Sequence, residues 1–242
     1  MQKLIRRAIR SLGWDLHRFR PAQCPEYQLL SALSYADVNV VFDVGANVGQ
    51  FSSGLRSLGF SGKIVSFEPL SSAHEELAAA AKSDEYWLIH PRCAVGDRNG
   101  EIEIHISGNS VSSSVLPMLD AHSSAASDSA YVASESTPLI TLDSVAAKYL
   151  DEDSRVFLKI DTQGFEWQVL DGAESTLKRA KGVLCEVSLV PLYEGQRLWR
   201  DVIARLEAEG FVLWTLQPVF ADARNGRSLQ MDAIFLRNDL RE

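Results

Sequence analysis

From residue 38 onward, the chain alternates short runs of β-branched and other apolar residues with segments of helical periodicity. Residues 38–43 and 63–68 are the first two such runs, and each predicts a buried strand. The helical face between them repeats at three- and four-residue steps through Val48, Phe51, Leu55 and Leu58. Alternation of this kind is typical of βαβ units, which build parallel sheets covered by helices on both faces. The sequence therefore predicts a doubly wound α/β fold.

Later parts of the chain continue the pattern, with further strands predicted over residues 86–95, 156–161, 183–186, 211–216 and 233–236. A helix is predicted around residues 165–180 with an interruption near Gly172. Another is expected after residue 69, with Ser72 and Glu75 in capping-box spacing. Residues 101–106 alternate polar and apolar side chains and are reached through a turn at 97–100, so a hairpin insertion is expected there. Apart from this insertion, the predicted strands number seven and form one mostly parallel main sheet.

Two segments differ from this α/β pattern. Residues 107–136 contain eleven serines and few large aliphatic side chains, which predicts a long loop. Residues 1–36 precede the first strand and are predicted to form an N-terminal helical appendage to a domain over residues 37–242.

The distribution of charge excludes some functions. The chain carries 24 basic and 32 acidic residues, a net charge of −8, but residues 1–20 hold six basic residues and one acidic residue. The remaining residues hold 18 basic and 31 acidic residues and a charge of −13, which disfavours generic nucleic-acid binding. The basic N-terminal segment has an amphipathic helical pattern. Such a helix can lie on an anionic membrane or contact a glycolipid, and it can equally pack on the domain or on a second subunit.

Metal sites, disulfides and membrane spans are not indicated. The three cysteines are far apart and lack CxxC spacing, and the five histidines, including His17, show no metal-ligand spacing. A reduced, cytoplasmic compartment is expected. No apolar run approaches the roughly 18 residues that a spanning helix needs.

Four predicted strands end in an acidic residue: Asp43, Glu68, Asp161 and Glu186. In an open parallel sheet the carboxyl ends of the strands lie along one edge, where ligands bind near the point at which strand order reverses. Gathering carboxylates there is costly unless they meet hydroxyls, N–H groups or a cation. The pattern favours a positively charged, hydroxyl-rich ligand. The alternative is that each acid only caps the helix that follows it.

The turn after the first strand, residues 43–50, distinguishes between ligands. A dinucleotide fingerprint starting at Gly45 needs glycine where Asn47 and Gln50 stand, so pyrophosphate binding is weakly supported. Glu68 closes the second strand nineteen residues after Gly49, where its carboxylate can accept hydrogen bonds from both ribose hydroxyls.

In these strand ends and in several short motifs, the sequence resembles the FkbM-type S-adenosylmethionine-dependent methyltransferases. The resemblance covers roughly residues 37–237 and rests on FDVGANVGQ (42–50), SFEP (66–69), AVGDRNG (94–100), TLDS (141–144) and KIDTQGFEWQVLDGA (159–173). It implies a Rossmann-like class I methyltransferase sheet whose last strand is antiparallel. It also implies S-adenosylmethionine as cofactor and methyl transfer to a hydroxyl of a saccharide, glycolipid or glycosylated natural product.

The resemblance also implies roles for individual residues. By analogy with this fold, the expected cofactor-binding residues are Asp43, Gly45, Asn47, Gly49, Glu68, Ala94 and Asp97, the last two beside adenine. A carboxylate can take the proton of an acceptor hydroxyl. Asp161 is the first choice for this base, and Glu166 could assist it, orient it or favour the helix dipole. Lys159 precedes Asp161 on the same strand face and can pair with it. Gln163 stands where family members frequently carry Glu.

Three alternatives stay open from the sequence. The same crevice could serve a nicotinamide-dependent oxidoreductase, or a binding module that holds the cofactor without transferring a methyl group. Asp161, Glu186 and Asp232 could together hold magnesium, although a metal-free site is expected. The expected partner is a small-molecule or glycan acceptor rather than a nucleic acid, with peripheral membrane contact through residues 1–20 and homo-oligomerisation as open possibilities.

Overall fold

A computed structural model of the chain describes residues 2–14 and 18–241, so His17 lies outside the described residues. Its main sheet has seven strands in the order β3-β2-β1-β7-β8-β10-β9. The strands are β1 (Val40–Val44), β2 (Lys63–Phe67), β3 (Trp87–Ile89), β7 (Val156–Ile160), β8 (Ala180–Ser188), β9 (Phe211–Ala221) and β10 (Ser228–Arg237). Strand order runs from β1 outward to β3, then continues on the other side of β1 with β7. The reversal therefore falls between β1 and β7.

The strand directions confirm the predicted class I methyltransferase sheet. β1, β2, β3, β7 and β8 pair in parallel, whereas β10 is antiparallel to both β8 and β9. All residues of β1 and β7 are buried, because helices cover both faces of the sheet. This is why both strands read as continuous apolar runs in the sequence.

Eight α-helices are described: α1 (Gln2–Ser11), α2 (Pro25–Tyr35), α3 (Gln50–Ser57), α4 (Ser71–Ala81), α5 (Asp120–Ala125), α6 (Glu166–Asp171), α7 (Glu174–Arg179) and α8 (Trp199–Ala208). Successive residues of β7 point to opposite faces: Leu158 joins one apolar cluster and Phe157 the other. Leu29 and Leu33 of α2 are buried in the Phe157 cluster. The prediction that residues 1–36 form an appendage is therefore wrong for α2, whose apolar face packs in the core.

The predicted interruption near Gly172 is confirmed, since α6 ends at Asp171 and α7 begins at Glu174. A Cβ at Gly172 would lie 1.8 Å from the carbonyl oxygen of Gly96. The close approach of these two backbones requires glycine at this position.

The predicted hairpin insertion and long loop are replaced by a second sheet of three strands in the order β4-β6-β5. These are β4 (Ala94–Val95), β5 (Gly100–Ser107) and β6 (Tyr131–Ile140). β5 does not pair with the strand before it, but is antiparallel to β6, which includes the end of the serine-rich segment. The loop prediction for 107–136 is wrong at 120–125 and 131–136. The single strand predicted over 86–95 is likewise divided between β3 and β4, which belong to different sheets.

The capping box predicted from Ser72 and Glu75 is not formed, because α4 begins at Ser71 and its N-cap is Leu70, two residues before Ser72. The carboxylate of Glu135 on β6 instead accepts the Ser71 backbone N–H at 2.7 Å and its hydroxyl at 2.8 Å. The start of α4 is therefore capped by Glu135, which is distant in sequence, and not by the side chains of its own first turn. Within the described residues, none of the helices has the length and apolar character needed to cross a membrane.

Candidate active site

A cleft of about 310 Å³ opens at the carboxyl ends of β1, β2 and β7, where strand order reverses. Its polar lining includes Asn47, Glu68, Lys159, Asp161 and Asp232. Phe67, Ala94, Val95 and Phe165 contribute to an apolar wall. The cleft lies where an open α/β sheet is expected to bind its ligand.

Gly45 allows β1 and β7 to come together under this cleft. Its φ is +74°, and a Cβ there would lie 1.8 Å from the carbonyl oxygen of Asp161. The backbone N–H groups of Gly45 and Ala46 both donate to the carbonyl of Phe67, at 3.1 and 3.0 Å. The glycine thus fixes the turn from which the next residues line the cleft.

Glu68 lies at the end of β2 and is 3% exposed. Its Oε2 accepts the backbone N–H of Asn47 at 2.7 Å and its Oε1 that of Leu70 at 2.9 Å. Burial raises the pKa of Glu68 to about 7, against the lowering effect of these two N–H groups. Each carboxylate oxygen has two lone pairs, so both can still accept a hydroxyl of a ligand.

Asp43 does not line the cleft, contrary to its predicted contact with the cofactor. Its side chain is fully buried, accepts the Ser52 hydroxyl at 2.7 Å and pairs with Lys159 Nζ at 3.1 Å. Lys159 Nζ also donates to the Gly45 carbonyl at 2.7 Å. Burial would lower the pKa of Lys159, but the charges of Asp43 and Asp161 raise it. Asp43 therefore acts through Lys159, which holds the Gly45 turn.

Of three other residues predicted to bind the cofactor, one lines the cleft and two do not. Ala94 lines the cleft close to Phe165. Gly49 does not line the cleft. It precedes α3 as the N-cap residue with φ +90°, and a Cβ there would lie 2.8 Å from the Trp87 ring. Asp97 is also outside the lining and pairs with Arg98 at 2.9 Å. Only Ala94 of these three is placed to touch a ligand.

Asp161 follows β7 and has a side chain 36% exposed, in contrast to Asp43. Its Oδ1 accepts the side-chain amide of Gln163 at 2.9 Å, and its Oδ2 lies 3.8 Å from Lys159 Nζ. Asp161 lines the cleft and also a second cavity of about 270 Å³. Gln163 and Val111 are shared by the two cavities in the same way.

Glu166 is buried beneath the loop that follows Asp161. Its Oε1 accepts the backbone N–H groups of Thr162 and Gly164, both at 3.0 Å, and the Thr162 hydroxyl at 3.3 Å. Burial raises the pKa of Glu166 to about 7. Glu166 lines neither cavity, which favours the predicted orienting role over direct assistance to Asp161. It shapes the 162–165 loop that carries Gln163.

Glu186 and Asp232 complete the acidic group. Glu186 does not end its strand, because β8 continues to Ser188, and it lines the second cavity rather than the cleft. Asp232 lies opposite Glu186 on β10 and lines the cleft. Burial, followed by the charge of Asp161, raises the pKa of Asp232 to about 7. From the sequence, Asp232 was expected near Asp161 only as a possible magnesium ligand, and its place in the cleft lining depends on the antiparallel pairing of β10 with β8.

The cleft fits S-adenosylmethionine in its chemistry. Carboxyl groups of Asp161 and Asp232 suit a sulfonium cation, Glu68 suits the ribose hydroxyls, and the wall at Ala94 and Phe165 suits an adenine ring. The magnesium alternative has no comparable support. No cluster of three His, Cys, Asp or Glu side chains that could hold a metal ion is present in residues 2–14 and 18–241.

Comparison with known proteins identifies a family. The model of the methyltransferase FkbM domain matches residues 43–213. No curated protein matches the chain significantly. Solved structures with similar folds include an rRNA methylase from Streptococcus thermophilus, at 12% identity and TM-score 0.46, covering 92% of this chain and 99% of that one. Magnesium protoporphyrin IX methyltransferase from Synechocystis PCC 6803, with bound SAM, is 10% identical, with TM-score 0.46 and coverage of 98% and 97%.

Proposed function

Because this chain belongs to the FkbM methyltransferase family, we propose that it transfers a methyl group to a hydroxyl of a saccharide, glycolipid or glycosylated natural product. The family match establishes a methyltransferase that uses S-adenosylmethionine as cofactor, and it gives no support to a nicotinamide-dependent oxidoreductase. The acceptor and the atom that is methylated are the proposed part.

We assign cofactor binding to the residues that line the cleft. Glu68 accepts the ribose hydroxyls, and Asn47 and the Gly45 turn face the methionine portion. Ala94 and Phe165 bound the adenine site. The carboxyl groups of Asp161 and Asp232 supply negative charge beside the sulfonium. Asp43, Gly49 and Asp97 are left out of direct contact because their side chains or Cα positions lie outside the cleft.

The observation that carries the proposal is the position of Asp161 between the two cavities. When bound, S-adenosylmethionine supplies a methyl carbon on a sulfonium sulfur, and its transfer to the acceptor oxygen leaves S-adenosylhomocysteine and releases the hydroxyl proton. A carboxylate at the junction of the two cavities is placed to accept that proton. The Gln163 amide and Lys159 hold this carboxylate in position at 2.9 and 3.8 Å. The protein otherwise acts by holding donor and acceptor together.

The serine-rich segment limits the access of water to this junction. Ser110 and Val111 line the cleft, and Asn47 Nδ2 approaches the Ser110 hydroxyl at 3.5 Å. The Ser114 hydroxyl donates to the carbonyl of Gln163 at 2.6 Å, which connects the segment to the loop after β7. Closing the site in this way strengthens its electrostatic interactions.

The direct test is incubation with methyl-tritiated S-adenosylmethionine and a panel of saccharides, glycolipids and glycosylated natural products, followed by identification of the labelled oxygen. The proposal expects label on a hydroxyl of at least one member of this panel. Label only on nitrogen, sulfur or carbon, or only on RNA, would contradict it. Cofactor binding without transfer to any acceptor would favour the binding-module alternative.

A second part of the proposal concerns location: the enzyme works in the cytoplasm, and residues 1–20 contact an anionic membrane. Leu12, Trp14 and Phe19 are between 60 and 76% exposed beside the basic residues of this segment. Apolar and basic side chains together suit an anionic lipid surface. Co-sedimentation with vesicles of phosphatidylglycerol and phosphatidylcholine tests it. Binding should increase with phosphatidylglycerol content and fall for Trp14→Ala, whereas equal binding to pure phosphatidylcholine vesicles contradicts the electrostatic part.

A further inference from the structure

The second cavity meets the cleft at Asp161, Gln163 and Val111, which line both. Its other walls come from β8, β9, β10 and the segment between β5 and β6. A molecule in this cavity would therefore reach Asp161 without occupying the part of the cleft lined by Glu68 and Ala94. The composition of the cavity indicates what kind of molecule that is.

Glu186 supplies a buried polar floor. Its Oε2 accepts the side-chain amide of Gln163 at 2.8 Å and that of Gln230 at 2.5 Å. Among the described residues, no hydrogen bond is formed to its Oε1. Glu186 is 8% exposed and lines the cavity. Its second oxygen is thus available to a ligand, while the first is fixed by two amides.

Burial disfavours a negative charge on this floor. Burial, followed by the negative charge of Asp161 and Glu166, raises the pKa of Glu186 well above its usual value. Because Oε2 already accepts two N–H groups, Oε1 is the atom of Glu186 left to form a hydrogen bond with a hydroxyl of a ligand. Gln163 bridges this group to Asp161, so the two carboxyl groups lie within two hydrogen bonds of each other.

One wall of the cavity is aromatic. The rings of His122 and Phe220 have centroids 5.2 Å apart at an angle of 36°, and His122 also lies 5.3 Å from Tyr193. Burial lowers the pKa of His122, so its ring is neutral at pH 7. Val219 and Ala126 extend the apolar surface.

No Lys or Arg is among the residues that line the cavity. A phosphate or carboxylate group placed there would meet the Asp161 carboxylate with no Lys or Arg among the described lining residues to compensate its charge, which is unfavourable. A neutral ring with an apolar C–H face and several hydroxyls would instead use both the aromatic wall and the polar floor.

We propose that the second cavity binds the methyl acceptor as an uncharged, hydroxylated ring, an inference that rests on the proposed O-methyl transfer. The ring packs its C–H face on Phe220, presents one hydroxyl to Asp161 and bonds a neighbouring oxygen to Glu186. Gln163 and Gln230 are positioning residues, since they hold Glu186. Ligands of the same size that carry a phosphate or carboxylate are disfavoured.

The test compares neutral and anionic glycosides. Methyl α-L-rhamnopyranoside, methyl α-D-mannopyranoside and methyl β-D-galactopyranoside are the neutral probes, and methyl β-D-glucuronide and glucose 6-phosphate are the anionic ones. Saturation-transfer NMR with S-adenosylhomocysteine present measures binding, and tritiated methyl transfer measures KM and kcat. At least one neutral probe is expected to bind and accept the methyl group at least tenfold more efficiently than either anionic probe.

Two variants test the polar floor and the aromatic wall separately. Gln230→Leu keeps the side-chain volume and removes one of the two amides that hold Glu186, and Phe220→Ala removes the aromatic face. Each should raise the acceptor KM about tenfold and change the affinity for S-adenosylmethionine less than twofold. Tyr86→Ala, at a side chain 61% exposed and outside both cavities, is the matched control. Thermal unfolding confirms that each variant is folded.

The outcomes separate this inference from the proposed function. More efficient methylation of an anionic glycoside, or an unchanged KM in both variants, overturns the neutral-ring inference and leaves the proposed function standing. If neither neutral nor anionic glycosides receive the label while S-adenosylmethionine binds, the saccharide acceptor itself is wrong, and this inference fails with it.

Discussion

At the scale of single residues, environment gives four similar acids four different tasks. Asp43 is fully buried and pairs with Lys159, whereas Asp161 is partly exposed at the junction of the cavities. Glu68 accepts two backbone N–H groups and still lines the cleft. Glu186 is held by two amides in the second cavity. Position at a strand end does not by itself define a ligand-binding acid.

Replacing Glu68 tests the cofactor site. We expect Glu68→Ala to weaken S-adenosylmethionine binding at least 100-fold, because two hydrogen bonds to a charged acceptor are lost, each worth about 1.5–3 kcal/mol. Isothermal titration calorimetry measures the affinity, and circular dichroism checks the fold. Glu76→Ala, at an exposed position on α4, is the control. Unchanged affinity in Glu68→Ala would remove Glu68 from the cofactor site.

Replacing Asp161 tests the proton acceptor. Asp161→Asn retains an oxygen for the Gln163 amide but cannot take a proton, so kcat should fall by about 10²- to 10⁴-fold. The variant should still bind S-adenosylmethionine, which separates a chemical defect from a binding defect. Asp97→Asn, outside the cleft, is the matched control. A kcat within threefold of that of the original protein would exclude Asp161 as the base.

At the scale of elements, distant segments cap the helices around the site. Glu135 of β6 caps α4, and Asp143 caps α7 from the turn that follows β6. Neither cap lies in the segment that directly precedes the helix it serves. The second sheet thus contributes to the start of a helix that packs on the main sheet, which links the two sheets.

The α7 cap gives a prediction that concerns stability alone. Asp143 accepts the backbone N–H groups of Ser175 and Thr176, both at 2.8 Å, and the Thr176 hydroxyl at 2.7 Å. Asp143→Ala should lower the free energy of unfolding by about 0.5–2 kcal/mol, the usual value of a helix cap. Urea unfolding measures the loss, with the exposed Asp153→Ala as control. Equal stability of the two variants would contradict a capping role.

At the scale of the whole molecule, the carboxyl groups gathered around the site make the stability of the fold depend on pH. Glu68 and Glu166 are buried and Asp232 is half-buried, and the pKa values of all three carboxyl groups are raised to about 7. In the unfolded chain the same groups ionise near pH 4. The folded protein therefore binds more protons than the unfolded chain in the range between these values.

The sign of the resulting pH dependence follows from linkage. Stability falls as pH rises wherever the folded state binds more protons, with a slope of at most about 1.4 kcal/mol per pH unit for each such carboxyl. The stability that these protonated carboxyl groups contribute at lower pH is lost progressively as pH rises through their folded-state pKa of about 7. Between pH 6.5 and 8 the melting temperature of the ligand-free protein should therefore decrease.

Differential scanning fluorimetry at constant ionic strength measures this decrease. Above pH 6.5 the opposing contribution of His90 and His122, whose pKa values are lowered by burial, declines because the unfolded chain also loses its histidine protons there. Glu166→Gln should flatten the profile, because one of the three groups no longer titrates. A melting temperature that rises or stays constant from pH 6.5 to 8 would show that these carboxyl groups are ionised in the folded protein.

The sequence by itself determined the main sheet and the region of the cleft. Buried parallel strands read as apolar runs, and the interruption at Gly172 and the left-handed turn at Gly45 are marked by glycine. The resemblance added the antiparallel last strand. These features are local, or repeat along the chain, so the order of residues is enough to reveal them.

Only the tertiary structure decided which side chains meet. The pairing of β5 with β6, the cap from Glu135 and the cleft position of Asp232 join segments far apart in the chain. The same holds for the exclusion of Asp43 and Glu166 from the cleft. The physical reason is that the direction of a side chain at a strand end depends on the partner it finds, such as Lys159 for Asp43. That partner is chosen by packing in three dimensions.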